Sequence, residues 1–66
     1  MKAQRTFNGT TVSLSGNLII LRGDYMSNYG TIFEDGSISL EWDALLTPEI
    51  ESWIRKKLRE EMEAAK

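Results

Sequence analysis

Thr47-Pro48-Glu49-Ile50-Glu51-Ser52-Trp53-Ile54-Arg55-Lys56-Lys57-Leu58-Arg59-Glu60-Glu61-Met62-Glu63-Ala64-Ala65 is the stretch whose reading decides the fold. Thr47 suits an N-cap, because its hydroxyl can accept from a backbone N–H of the first turn. Pro48 follows at the first helical position, where a missing N–H is harmless. Glu49 and Glu51 put negative charge at the positive end of the helix dipole. Ile50, Trp53, Ile54, Leu58, Met62 and Ala65 recur at spacings of three and four, which gathers them into one apolar stripe with charge on the other side. About 18 helical residues run roughly 27 Å, the span of a small sheet. The pattern predicts a helix over 47–65 that either lies across strands or projects its stripe to a partner.

The end of this helix is not the one its electrostatics favour. Glu51 and Arg55 form a well-ordered i,i+4 pair, but Lys56 with Glu60, Lys57 with Glu61 and Arg59 with Glu63 have the reverse order. Glu60, Glu61 and Glu63 also lie near the negative end of the dipole. Either the last turn frays, or these acids form a tip that faces a basic partner.

Upstream of the helix the period changes to two and turn dipeptides come at short intervals, the signature of hairpins over 3–42. Asn8-Gly9 separates Ala3–Phe7 from Thr10–Leu14 and suits a type I′ turn. Ser15-Gly16-Asn17 is the second turn, and its register is open: a two-residue loop pairs Leu14 with Ile19, a three-residue loop pairs Leu14 with Leu18, and the slip exchanges the faces. Leu18–Leu21 is apolar on both sides in either case, which suits a strand covered on both faces or one whose outer face meets another copy. Gly23–Asn28 is the longest connection; its Tyr25 and Met26 either fold back on the core or contact a partner. Asp35-Gly36 then joins Tyr29–Glu34 to Ser37–Trp42. A two-residue turn there pairs Phe33 with Ile38, Thr31 with Leu40 and Tyr29 with Trp42, giving an apolar face, with Ile32 alone among polar residues on the other. Asp43–Leu46 leads to the helix, with Leu45 and Leu46 closing the core edge.

The expected fold is α+β: a small antiparallel sheet of four to five strands, built of successive hairpins, followed by one C-terminal amphipathic helix. With 66 residues there is room for a single domain spanning 1–66, close to the lower size at which one core suffices. An apolar fraction of 41% and a charged fraction of 27% place the chain among globular rather than disordered sequences.

Chemistry is narrowed by what the sequence lacks. Without cysteine or histidine it has neither thiolate nor imidazole, so disulfides, the commonest transition-metal ligands and the usual neutral-pH base are missing. Glu34, Asp35, Glu41 and Asp43 cluster on the third hairpin, but no EF-hand, phosphate loop or nucleophile elbow accompanies them. No catalytic residue, cofactor or metal site is assigned. Leu18–Leu21 is the longest apolar run, far short of a membrane span, and no secretory signal is visible, so a cytoplasmic location is expected, in the host if the protein is viral. The net charge of −2, with acids among Arg55, Lys56, Lys57 and Arg59, argues against nucleic acid as the partner.

A non-catalytic protein that works by contact is the expectation that remains, one that binds and modulates or inhibits a larger protein. Compact, acidic, cysteine-free chains of this type occur among bacteriophage accessory proteins that antagonise host enzymes or defence systems. The candidate contact residues are Tyr25, Met26, Trp53, Glu60, Glu61 and Glu63, with the aromatic anchors first. A homodimer is expected from the small core and the apolar third strand. The alternatives are a self-assembling structural subunit and a small dimeric nucleic-acid-binding regulator.

Overall fold

The computed structural model describes residues 2–42 and 45–64. Strands β1 (Lys2–Phe7), β2 (Thr10–Ser15), β3 (Leu18–Arg22), β4 (Ser27–Ile32) and β5 (Ile38–Leu40) precede one helix, α1 (Pro48–Ala64). The strands lie side by side in chain order, each antiparallel to the next. This is the expected α+β architecture.

The first two turns carry the dihedral signatures of two-residue hairpins. Asn8 (φ 45°) and Gly9 (φ 86°) are both left-handed, as a type I′ turn requires, and Phe7 pairs with Thr10. In the second turn Gly16 (φ 59°) is left-handed and Asn17 is not, the pattern of type II′. Ser15 therefore pairs with Leu18 and Leu14 with Ile19, which settles the register the sequence left open. The next connection is shorter than expected. Gly23 donates its N–H to the Met26 carbonyl at 2.8 Å, and Arg22 already pairs with Ser27, so Ser27 and Asn28 belong to β4 rather than to the loop.

The third hairpin corrects the sequence reading by one residue. Ile32 pairs with Ile38, Thr31 with Ser39 and Gly30 with Leu40. The loop has three residues: Phe33 donates to the Ser37 carbonyl at 2.9 Å, and Gly36 donates to the Phe33 carbonyl at 2.9 Å. Gly36 takes φ 90°, the left-handed third position that lets a three-residue loop close. Asp35 holds this shape, because its Oδ1 accepts from the Ser37 N–H at 2.9 Å and from the Ser37 hydroxyl at 2.6 Å. Those bonds, the hydroxyl first, keep the Asp35 carboxyl below its ordinary pKa of 3.8.

One slipped residue moves every side chain of a strand to the other face. Ile38 and Leu40 thus point the same way as Ile32, which lies in the core at 2% exposure instead of alone on the wet face. Tyr29 leaves the helix side, Phe33 turns out of the core into a cleft beside Leu58, both are about half exposed, and Trp42 is more exposed still. Gly30 is required beside this pairing, since a Cβ there would collide with the Leu40 side chain and the Ser39 carbonyl.

Alternate residues of the strands meet the helix. Val12, Leu14, Ile19, Leu21 and Ile32 from the sheet are buried against Ile50, Trp53 and Ile54 of α1. Leu45 and Leu46 pack on the edge of this core as expected, with Ala3 and Leu58. Phe7 meets Trp53 edge to face, ring centres 5.7 Å apart, and Arg5 lies over the outer side of the Phe7 ring at 4.7 Å. The helix start is capped as its sequence predicts: the Ile50 N–H donates to Thr47 Oγ1 at 3.2 Å, and Glu51 pairs with Arg55. Asn28 is also inside, at 4% exposure, and its Nδ2 has no partner among the described residues. An orphaned buried amide costs about 1–3 kcal/mol.

Candidate protein-interaction site

Helix α1 meets Phe7 through Trp53 in its second turn and reaches, at Arg55 and Leu58, the end of the sheet where the β2–β3 turn and the β4–β5 loop lie. There Arg55 donates from Nε to the Gly36 carbonyl at 3.2 Å, which ties the helix to the loop. Beyond that tie the stripe loses its cover. Ile50, Trp53 and Ile54 are buried, Leu58 is half-buried and Met62 is 50% exposed, so the apolar stripe opens to solvent toward the helix end.

Two shallow clefts meet at Leu58. One lies between Gly16, Asn17, Phe33 and Leu58, with Ile32 at its floor. The other lies between the 34–36 loop and Arg55, Arg59 and Met62. Phe33, Leu58 and Met62 thus form an apolar shelf at the end of the molecule. Glu34, Arg55 and Arg59 are exposed at its clefts, Glu60 and Glu63 are exposed on the last turns of α1, and the last turn of α1 holds no basic residue. Glu60 is engaged by Lys57 at 3.3 Å, i to i+3, where the sequence paired it with Lys56.

The candidate residues from the sequence fall into three places. Tyr25 stands fully in solvent at the tip of the Gly23–Met26 turn, and Met26 beside it is half-buried with its carbonyl bonded to Gly23. Trp53 is 8% exposed, with Phe7 at its edge and the Lys57 ammonium 5.8 Å from its ring centre, which leaves little of it for a partner. Glu60, Glu61 and Glu63 lie together on the last turns of α1, beside the shelf, with Glu61 lining the cleft under Phe33. The turn carrying Tyr25 is at the other end of the sheet from this tip, so the six do not converge on one surface. Of the clustered carboxylates, Glu34 and Asp35 are in the loop and Glu41 lies beside Tyr29, to whose carbonyl its N–H donates at 3.2 Å. Asp43 and Ala65 lie outside the described residues, and no group of three or more potential metal ligands occurs among those described.

Sequence reasoning missed Phe33, Tyr29 and Trp42 as surface aromatics. The cue was the triplet Asp35-Gly36-Ser37, in which an Asp accepting from the residue two positions on favours a three-residue loop over a two-residue one.

Comparison with protein-family models, with curated proteins and with solved structures gives no match. Among the described residues no helix is long and apolar enough to cross a membrane.

Proposed function

We propose that this chain is a non-catalytic interaction module that binds a larger protein and modulates or inhibits it through the Phe33–Leu58–Met62 shelf. The observation that carries the reading is the loss of cover over α1: its apolar stripe opens to solvent beside an exposed Phe33. Large apolar side chains set side by side within a charged rim are the composition of a contact surface, with an apolar centre and a polar border. Glu34, Arg55 and Arg59 border its clefts, so the rim carries both signs and favours a partner with complementary mixed charge. In this reading the protein acts in the cytoplasm as an antagonist of an enzyme or a defence system, the role that bacteriophage accessory proteins of the same type perform.

The test is affinity capture from a lysate of the natural host with the tagged chain and with a Phe33→Asp, Met62→Lys double variant of matched thermal midpoint. One defined protein, near-stoichiometric with the wild type and lost with the variant, supports the reading. Nucleic acid in its place, or the same protein retained by the variant, contradicts it.

A further inference from the structure

Asn8-Gly9 is the one place in the chain where an asparagine precedes a glycine. Both residues are exposed at the tip of the β1–β2 turn. The Gly9 N–H and the Asn8 side-chain amide have no hydrogen-bond partner among the described residues, and no side chain stands over Gly9. Asparagine is among the thermally labile side chains, and here its carboxamide lies next to a main-chain nitrogen that nothing holds.

The related pair Asp35-Gly36 is held at both of the groups that matter. Gly36 donates its N–H to the Phe33 carbonyl at 2.9 Å, and Asp35 Oδ1 accepts from the Ser37 N–H and hydroxyl. Of the other asparagines, Asn17 precedes Leu18, the first residue of β3, and Asn28 is buried within β4. Asn8 alone combines exposure, an unengaged carboxamide and a following glycine, whose missing side chain leaves room for a ring to close.

We propose that Asn8 is a site of spontaneous covalent modification whose second reactant is water. The Gly9 nitrogen gives its proton to hydroxide and attacks Asn8 Cγ. The N–Cγ bond forms, the Cγ–Nδ2 bond breaks, and Nδ2 takes a proton from water and leaves as ammonia. Water then opens the resulting five-membered succinimide at one of its two carbonyl carbons. Cleavage of N–Cγ leaves an aspartyl residue. Cleavage at the main-chain carbonyl carbon leaves an isoaspartyl residue, in which the backbone runs through Cβ and Cγ. In sum one amide and one water become one carboxylic acid and one ammonia, with no oxidation or reduction. The ring closes only after Asn8 rotates out of the turn geometry, and an exposed tip without side-chain bonds is the part of a hairpin that opens most readily.

The fold distinguishes the two products. An aspartyl residue suits a type I′ turn as asparagine does. An isoaspartyl residue adds a backbone atom to a turn whose length sets Phe7 opposite Thr10, and Phe7 is the residue that packs on Trp53. That product loosens one corner of the core. The inference involves neither the helix end nor its partner.

The test follows the full chain by intact mass and fragment mapping while it is held folded at two pH values one unit apart. One ammonia per chain should be lost, both products should map to position 8, and the rate should be about tenfold higher at the higher pH, as the deprotonated fraction of the amide is. Conversion should run within about tenfold of that in the chain unfolded in guanidinium chloride, whereas isoaspartate at Asp35 should form at least about tenfold more slowly in the folded chain than in the unfolded one. Asn8→Gly, which keeps a left-handed turn, should release no ammonia. The separated isoaspartyl form should melt below Asn8→Asp, which reproduces the other product. A folded chain that stays intact while the unfolded one is converted overturns the proposal, as does ammonia lost from Asn17 or Asn28 instead, a reading that mapping gives without any variant. An isoaspartyl form that melts with Asn8→Asp overturns the consequence for the hairpin.

Discussion

The two faces of this sheet are made from alternate residues of the same strands, yet one is sealed and the other is open. Toward α1, Val12, Leu14, Ile19, Leu21 and Ile32 are nearly devoid of exposure. Away from it, the neighbours of those residues are Thr11, Ser13, Ser15, Leu18, Ile20, Arg22, Thr31 and Phe33, a mixture in which polar side chains outnumber apolar ones. The first face explains why the chain folds, and the second is free for contact because the fold does not need it. The boundary between them is set by pairing register. In the third hairpin that register rests on one carboxylate, Asp35, and one left-handed glycine, Gly36.

The largest expected effect is on the sealed side. Trp53→Ala removes a buried ring from a small core and should lower stability by about 3–5 kcal/mol, enough to unfold much of a domain this size, as read by urea denaturation. A sharper comparison uses adjacent residues on opposite sides of the boundary. Ile32→Ser should cost about 3 kcal/mol or more, by lost burial and a buried hydroxyl, whereas Phe33→Ser should stay within about 0.5 kcal/mol. A larger cost for Phe33→Ser than for Ile32→Ser would restore the two-residue turn and reverse the faces. Gly36→Ala places a Cβ at φ 90° and should cost about 1 kcal/mol or slightly more, with its thermal midpoint shifted down accordingly.

The smallest effect is that of pH on the same loop. The Asp35 carboxyl in the folded chain titrates below its ordinary value of 3.8. A depressed folded pKa means that the contribution to stability is complete above the unfolded value and is lost as pH falls through the folded one. Asp35→Asn should therefore flatten the acid side of the stability profile below about pH 4 and leave the neutral side parallel to wild type.

Much of the architecture was legible in residues whose local chemistry and global role agree. Thr47-Pro48 fixes the helix start, the stripe from Ile50 to Leu58 fixes its buried side, and Asn8-Gly9 fixes the first hairpin. What the sequence hid was long-range. Gly16-Asn17 is compatible with two loops, and the choice depends on which side of β3 the helix covers. Asp35-Gly36 reads as a two-residue turn when taken alone, and only the Ser37 bonds and the burial of Ile32 decide otherwise. The candidate site inherits the same limit. The acidic helix tip was visible from charge order, whereas the shelf beside it needs Phe33 turned out of the core. Trp53, the most anchor-like side chain by type and a contact candidate in the sequence, is buried with its stripe against the sheet.

The measurement that tests the account most directly is a set of cross-strand Hα–Hα nuclear Overhauser contacts in the third hairpin. Phe33 with Ser37 and Tyr29 with Glu41 are hydrogen-bonded pairs, so Ile32 with Ile38 and Gly30 with Leu40 are the closely spaced ones. Strong contacts between the α-protons of Ile32 and Ile38 and of Gly30 and Leu40 are predicted. Contacts linking Phe33 to Ile38 or Thr31 to Leu40 instead would place Tyr29 and Phe33 under the helix and contradict both the open face and the shelf.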